Sequence, residues 1–198
     1  MESRQTRSVN RPGKGRKAKK PMSTATRTQI EQAIEFAIGS VFTGEVYHAT
    51  SAANIDSLLA DGFDLGRAGD GIGSVFGAAI YVTQDAGETL AYYLSNDNYD
   101  AVAGRVNISN PLVVEAWAWM HEDALYNEIA EAIGTELEGE PTVAEMLAAS
   151  DYDAIIIEQD GFDRGVGGSQ IILQSPDQIM LYPMPAEVMT AVHALVWG

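Results

Sequence analysis

The sequence predicts an α+β domain in which helices flank a mixed, mostly antiparallel sheet, with a basic tail in front of it. Short apolar runs bounded by Gly, Pro, Asn and Asp outnumber the stretches with a helical period, so strands should dominate the core. The helical stretches do not alternate with strands in a doubly wound pattern, and no internal repeat or linker interrupts the chain. The 198 residues, 46% of them hydrophobic, supply one buried core and hardly two. The expected division is a disordered basic tail over residues 1–27 and a single domain over residues 28–198.

In chain order, residues 28–38 (TQIEQAIEFAI) set Ile30, Ala33, Ile34, Ala37 and Ile38 on one helical face, with capping-box spacing at Thr28 and Glu31 and a stop at Gly39. Gly44 to His48 reads as a strand. Ser51 then caps a helix whose Ile55, Leu58 and Leu59 face inward until Asp61-Gly62 ends it. Five glycines between Gly66 and Gly77 make a long loop. Ala78 to Thr83 (AAIYVT) is a buried strand, and a helix over Ala86 to Leu94 starts near Asp85. Strands follow at Val102 to Ile108 and Leu112 to Glu115, broken by the Asn110-Pro111 turn. His121 to Ile133 and Thr142 to Ala149 are acidic amphipathic helices separated by GTELEGEP. Asp153 to Ile157, Gln170 to Leu173 and Ile179 to Tyr182 complete the strands, and Ala186 to Val196 forms a terminal helix.

The net charge of −16 hides a segregation. Nine of the 12 Lys and Arg residues lie between Arg4 and Arg27, and Arg67, Arg105 and Arg164 are the others. Glu2 is the one acid of the tail, so residues 28–198 hold 27 acids against 3 arginines, a net charge of −24. The tail has little to bury in exchange for ordering its backbone, which makes it a solubilising arm or an electrostatic arm for nucleic acid, contacting it through residues 4–27. The acidic body repels phosphate backbones and fits a high-salt environment, where self-repulsion is screened. With no cysteine, disulfides, thiolate metal sites and a cysteine nucleophile are excluded. No run of about 18 apolar residues and no signal core after the basic start are present, so neither a membrane span nor secretion is expected.

Few residues are available for chemistry. The three histidines, His48, His121 and His193, show no HExxH pattern, the serines lack a GxSxG elbow, and the glycine-rich GDGIGSVFG lacks a Walker lysine. Catalytic zinc, a serine triad and nucleoside triphosphate hydrolysis are therefore disfavoured. A more specific pattern runs through Tyr47-His48-Ala49-Thr50-Ser51, then Ile55, Leu58 and Gly62-Phe63, then Phe76-Gly77-Ala78-Ala79-Ile80-Tyr81-Val82-Thr83. It continues at Asn110 to Val113, Tyr152 to Ile156 and Pro176-Asp177-Gln178-Ile179. Together these residues resemble the catalytic domain of the poly(ADP-ribose) polymerase and diphtheria-toxin class of ADP-ribosyltransferases, in the flavour of the small domains of phage polyvalent proteins.

The resemblance covers about residues 44–182 and implies a split ADP-ribosyltransferase-like β core and NAD as substrate. It implies that His48 bonds the adenosine ribose and that the backbone of Ala49, glycine in most members, receives the nicotinamide amide, with Thr50 beside it. It implies that Tyr81 stacks on the nicotinamide ring, that Tyr92 closes the other side, and that Thr89 reaches the carboxamide. A desolvated pyridinium between two aromatic faces gains about 1 to 2 kcal/mol per contact. Arg67 and Arg164 are candidates for the pyrophosphate.

The class usually carries a glutamate eight residues before the Gln of the Pro-x-Gln-Ile motif, and that place here holds Gln170. An amide still accepts a hydrogen bond from the ribose but brings no charge to an oxocarbenium-like transition state. Losing about 2 to 4 kcal/mol there slows the reaction roughly 30- to 1000-fold. Glu158, Asp160 and Asp163, in the segment before that strand, are the acids available to substitute. His48, Tyr81 and Gln170 form the expected catalytic set. The expected function is NAD-dependent mono-ADP-ribosyl transfer to a protein or nucleic-acid acceptor, by a phage-encoded effector in the host cytoplasm or a virion-associated protein. Two alternatives stand beside it: an NAD-binding pseudoenzyme, and a nucleic-acid-associated structural protein acting through its tail.

Overall fold

Seven apolar segments pair into one sheet in a computed structural model that describes residues 24–67, 77–87, 99–117, 122–134, 139–160 and 169–197. The strands are β1 (Val46–Ser51), β2 (Ile80–Thr83), β3 (Tyr99–Val106), β4 (Pro111–Trp117), β5 (Ala154–Asp160), β6 (Gln170–Leu173) and β7 (Ile179–Pro183). Their order across the sheet is β4-β5-β6-β2-β1-β3-β7. Among these strands only β4 and β5 run parallel; every other pairing is antiparallel. A parallel pair needs a crossover, and the connection between β4 and β5 contains α3 (Glu122–Ile133) and α4 (Val143–Ala148). The α+β class with a mixed sheet flanked by helices is as the sequence predicts.

Alternation along the strands sorts the core into two faces. On one face Val46, Ile80, Val82, Val106, Ile156 and Ile171 pack together, with Phe63 and Leu65 from the segment after α2 (Ile55–Asp61) laid over them. The other face holds two clusters. Leu112, Val114, Ile155, Ile157 and Ile172 meet α3 and α4, whereas Tyr47, Ala49, Ala101, Ala103 and Tyr182 meet α1 (Arg27–Phe36) and the start of α5 (Ala186–Trp197). The border between these clusters follows the line between β2 and β1.

Several expectations are corrected. The first helix begins one residue early, and its capping box is Thr26 with Gln29 rather than Thr28 with Glu31. Of the five residues expected on its inner face, Ala33 is buried against the sheet, but Ile34 is 49% exposed and Ile38, beyond the helix end at Phe36, is 74% exposed. Ser51 remains in β1, and Asn54 occupies the N-cap position of α2 without a side-chain cap. The strand expected at Gly44 to His48 starts later and runs on to Ser51, where pairing with β3 as far as Tyr99 keeps it extended. That pairing also starts β3 earlier than its apolar run suggests. Residues 1–23 of the tail lie outside the described residues. Among the described residues, no helix is long and apolar enough to cross a membrane.

Candidate functional site at the β1–β2 seam

β1 is joined to β3 by six register pairs, but to β2 by one, Tyr47 opposite Thr83. The backbone geometry explains what happens beyond that pair. The Gln84 N–H donates to the Ser169 carbonyl toward β6 at 2.9 Å, so alternation turns the N–H and C=O of Thr83 and Tyr81 toward β1. By the same rule the N–H and C=O of Tyr47 and Ala49 face β2. Continuing the ladder would set Ala49 against Tyr81, yet no ladder pair joins them.

His48 fills that place. Its Nδ1 lies 2.8 Å from the Tyr81 carbonyl. A carbonyl can only accept, so Nδ1 carries the proton and the neutral ring presents Nε2 as an acceptor. Burial lowers the His48 pKa below its usual 6.5, partly opposed by the carbonyl, and this keeps the ring neutral. Phe63 stands edge-on to the imidazole with ring centroids 4.8 Å apart, fixing its plane. The sequence offered Phe63 only as part of a motif; its contact with His48 depends on the turn after α2, where Gly62 adopts φ 76°.

The Tyr81 ring leaves the seam on the other side, against the α3–α4 cluster, and its hydroxyl donates to the Gly77 carbonyl at 2.7 Å. The structure therefore joins His48 and Tyr81 through a side chain and a backbone carbonyl, and does not set their rings face to face. Gly77 has φ 102°, and a Cβ there would come within 2.7 Å of Thr142 at the start of α4. Only glycine allows this close approach, which is the signal that could have marked Gly77 as the residue holding Tyr81.

Gln170 opens β6 directly opposite Thr83. Opposed residues in an antiparallel pair share a face, so Tyr47, Thr83 and Gln170 form a row across β1, β2 and β6, on the face of Tyr81. Gln170 is half-buried and Thr83 is buried. Thr50, also half-buried, lies opposite Asp100 on the His48 face. Ile157 is opposite Gln170 from β5, so Glu158 alternates to the far face and is exposed there. Its backbone register thus removes Glu158 as a partner for Gln170.

Thr89, Tyr92, Asp163 and Arg164 lie outside the described residues. Arg67 and Asp160 are described in their backbone alone: Arg67 ends a short 3-10 turn, Leu65–Arg67, and Asp160 ends β5. Among the described residues, no group of three or more His, Asp or Glu side chains is placed to hold a metal ion.

Between α2 and the start of β7 lies an apolar groove of about 210 Å³, whose wall includes Phe63, Leu58, Ile179 and Met180. Phe63 therefore touches His48 with its edge and forms part of this groove. The seam thus has a neutral histidine acceptor and the Phe63 groove on one face of the sheet, a pinned tyrosine and a neutral amide on the other, and the amide edge of Ala49 between them. These are groups that hydrogen-bond hydroxyls and amides. No protein-family model matches the sequence, and no curated protein matches it.

Proposed function

We propose that the chain binds NAD⁺ across the β1–β2 seam in an ADP-ribosyltransferase-like split sheet and transfers ADP-ribose to a macromolecular acceptor. The observation that carries this reading is the opening of the sheet after Tyr47–Thr83, with the amide edge of Ala49 facing the gap and His48 bonded across it. A carboxamide needs one acceptor and one donor in a line, and an extended strand facing an open seam offers that edge. The Nε2 of His48 accepts from a ribose hydroxyl. Tyr81, anchored through its hydroxyl, offers ring surface at the border of the α3–α4 cluster. The groove bounded by Phe63 gives the distal heterocycle an apolar wall.

The second reading, NAD⁺ binding without turnover, is favoured by the amide at Gln170, which supplies no charge to the cleavage step. Incubation of the protein with radiolabelled NAD⁺ and a cell lysate separates the two. Label transfer with nicotinamide release supports the enzyme. NAD⁺-dependent thermal stabilisation with neither product supports the binding module. Absence of both stabilisation and turnover overturns the NAD site itself.

A further inference from the structure

We infer that the outer edge of β7 and the apolar groove beside it form a docking site for an extended strand, and that its occupant is residues 7–11 of the chain's own basic tail. β7 is the last strand of the sheet, paired on one side with β3. The Asn107 N–H donates to the Gln178 carbonyl at 2.8 Å, which fixes the phase of this ladder. Met180 and Tyr182 therefore turn their N–H and C=O toward β3, and Ile179 and Leu181 turn theirs away from it. The Ile179 N–H is taken up by the Pro176 carbonyl. Among the described residues, no hydrogen bond reaches the Ile179 carbonyl or the N–H and carbonyl of Leu181. Such an edge is a template for one more strand.

The groove adds side-chain selectivity to that edge. It is walled by Leu58 and Phe63, by Pro176, and by Ile179, Met180 and Leu181 of β7. Successive strand residues point to opposite faces, so a groove that touches all three reaches round from the Phe63 face to the open edge of β7. Met180 is exposed there. A strand laid along the edge would pair with Leu181 and send an alternate side chain into the groove.

Charge and sequence select the occupant. Asp61 and Asp177 are exposed and stand next in sequence to the groove residues Gly62 and Pro176. A basic strand with one apolar side chain complements them. Residues 7–11 read RSVNR, and alternation puts Val9 between Arg7 and Arg11 on one side of an extended chain, in the same order for either strand direction. No proline or glycine interrupts residues 4–11. With Val9 opposite Leu181, its side chain enters the groove and the two guanidinium groups reach for the carboxylates. The tail leads into α1, whose Ala33 packs in the cluster of Tyr182 from β7. The 15 residues from Val9 to Thr24 span up to about 50 Å, enough to bring the segment round to the edge. A tether of this kind sets an effective concentration on the order of 1 mM, so a contact with a Kd of about 0.1 mM is roughly nine-tenths formed. The groove is also the apolar wall of the proposed NAD⁺ site, so the docked segment and that part of NAD⁺ exclude each other. The docking itself does not depend on the NAD⁺ reading.

The test uses the full chain at low salt without NAD⁺, and compares it with Val9→Asp, with Arg7→Glu/Arg11→Glu, and with that pair combined with Asp61→Lys/Asp177→Lys. Val9 precedes the described residues, so its substitution leaves the contacts within the sheet unchanged. The Leu181 amide should exchange with solvent about 10-fold more slowly in the wild type than in Val9→Asp. Trypsin should cut after Arg7 about 10-fold more slowly than after Lys17 of the same tail, and Val9→Asp should abolish the difference. The Arg7→Glu/Arg11→Glu pair should remove the amide protection, and adding Asp61→Lys/Asp177→Lys should restore it, which a general loss of tail charge would not do. Equal exchange and cleavage in the wild type and Val9→Asp, or no rescue by the charge exchange, would overturn the assignment. Protection that falls away on dilution would overturn it too, because it would mark a second copy as the occupant.

Discussion

Glu45 is where the polar contacts of the β1–β3–β7 half converge. Its two carboxylate oxygens accept the Tyr47 hydroxyl at 2.9 Å and the Tyr182 hydroxyl at 2.6 Å, and Arg105 Nη2 lies 3.8 Å away. Arg105 also donates to the Thr43 carbonyl, while its buried Nε has no hydrogen-bond partner among the described residues. Removing the carboxylate leaves two phenols and a guanidinium short of partners. Glu45→Ala should therefore cost about 2 kcal/mol in urea unfolding, and Glu45→Gln less, because the amide oxygen still accepts. Burial first, and donation to Glu45 second, push both phenols above the usual tyrosine range. Their neutral forms stabilise the fold fully below about pH 10, and this contribution falls as the pH rises past it. Absorbance titration should show Tyr47 and Tyr182 ionising late, and Tyr182→Phe should remove one late-ionising group. His48 has the opposite sign. Its folded pKa is depressed, so the unfolded chain takes up the proton first and stability drops as the pH falls below about 6.5. In His48→Gln that part of the acid-side slope should disappear from the melting temperature profile.

The helix ends and close strand contacts were legible to different degrees. α4 follows its sequence signal: the Thr142 hydroxyl accepts the Glu145 N–H, and the Glu145 carboxylate accepts the Thr142 N–H. Those bonds also hold the Glu145 carboxyl below its usual range. α1 shows the same device two residues before the Thr28–Glu31 spacing, since both Thr26 and Thr28 have polar residues three places on. Thr26→Ala should cost about 1 kcal/mol by chemical denaturation, as the loss of an N-cap does. The place of Gly104 could not be read from its neighbours. It sits in β3 opposite Leu181, where an added Cβ would come within 2.9 Å of the Met180 carbonyl. Gly104→Ala should force β3 and β7 apart and cost about 1 to 3 kcal/mol, measurable as a lower denaturant midpoint. Gly77→Ala combines strain at positive φ with a clash against Thr142, so it should lower stability and, on the proposed reading, NAD⁺ affinity by releasing Tyr81.

For the molecule as a whole, charge governs the behaviour outside the core. A body of 27 acids against 3 arginines repels itself, and added salt screens this repulsion. The melting temperature should rise as monovalent salt goes from about 0.05 to 0.5 M, across which the Debye length falls severalfold. Any nucleic-acid binding through residues 4–27 should show the opposite response, with affinity falling steeply over the same range and vanishing on deletion of residues 1–23. The two salt responses are separable in one titration series, because one reads folding and the other association.

Seven strands, the helices among the described residues, the turn at Asn110-Pro111 and the amide at Gln170 could all be read along the chain, because period, turn chemistry and residue identity are local properties. The shape of the seam could not. Tyr182 reaches Glu45 across 137 residues of sequence, and His48 reaches Tyr81 across 33. Whether β1 zips onto β2 or leaves it after one pair depends on the twist imposed by β3 and β6 on either side, which no short stretch encodes. The same nonlocal register sets Glu158 on the face opposite Gln170, so the sequence by itself determined which side chains are available and the tertiary structure decided which of them share a face.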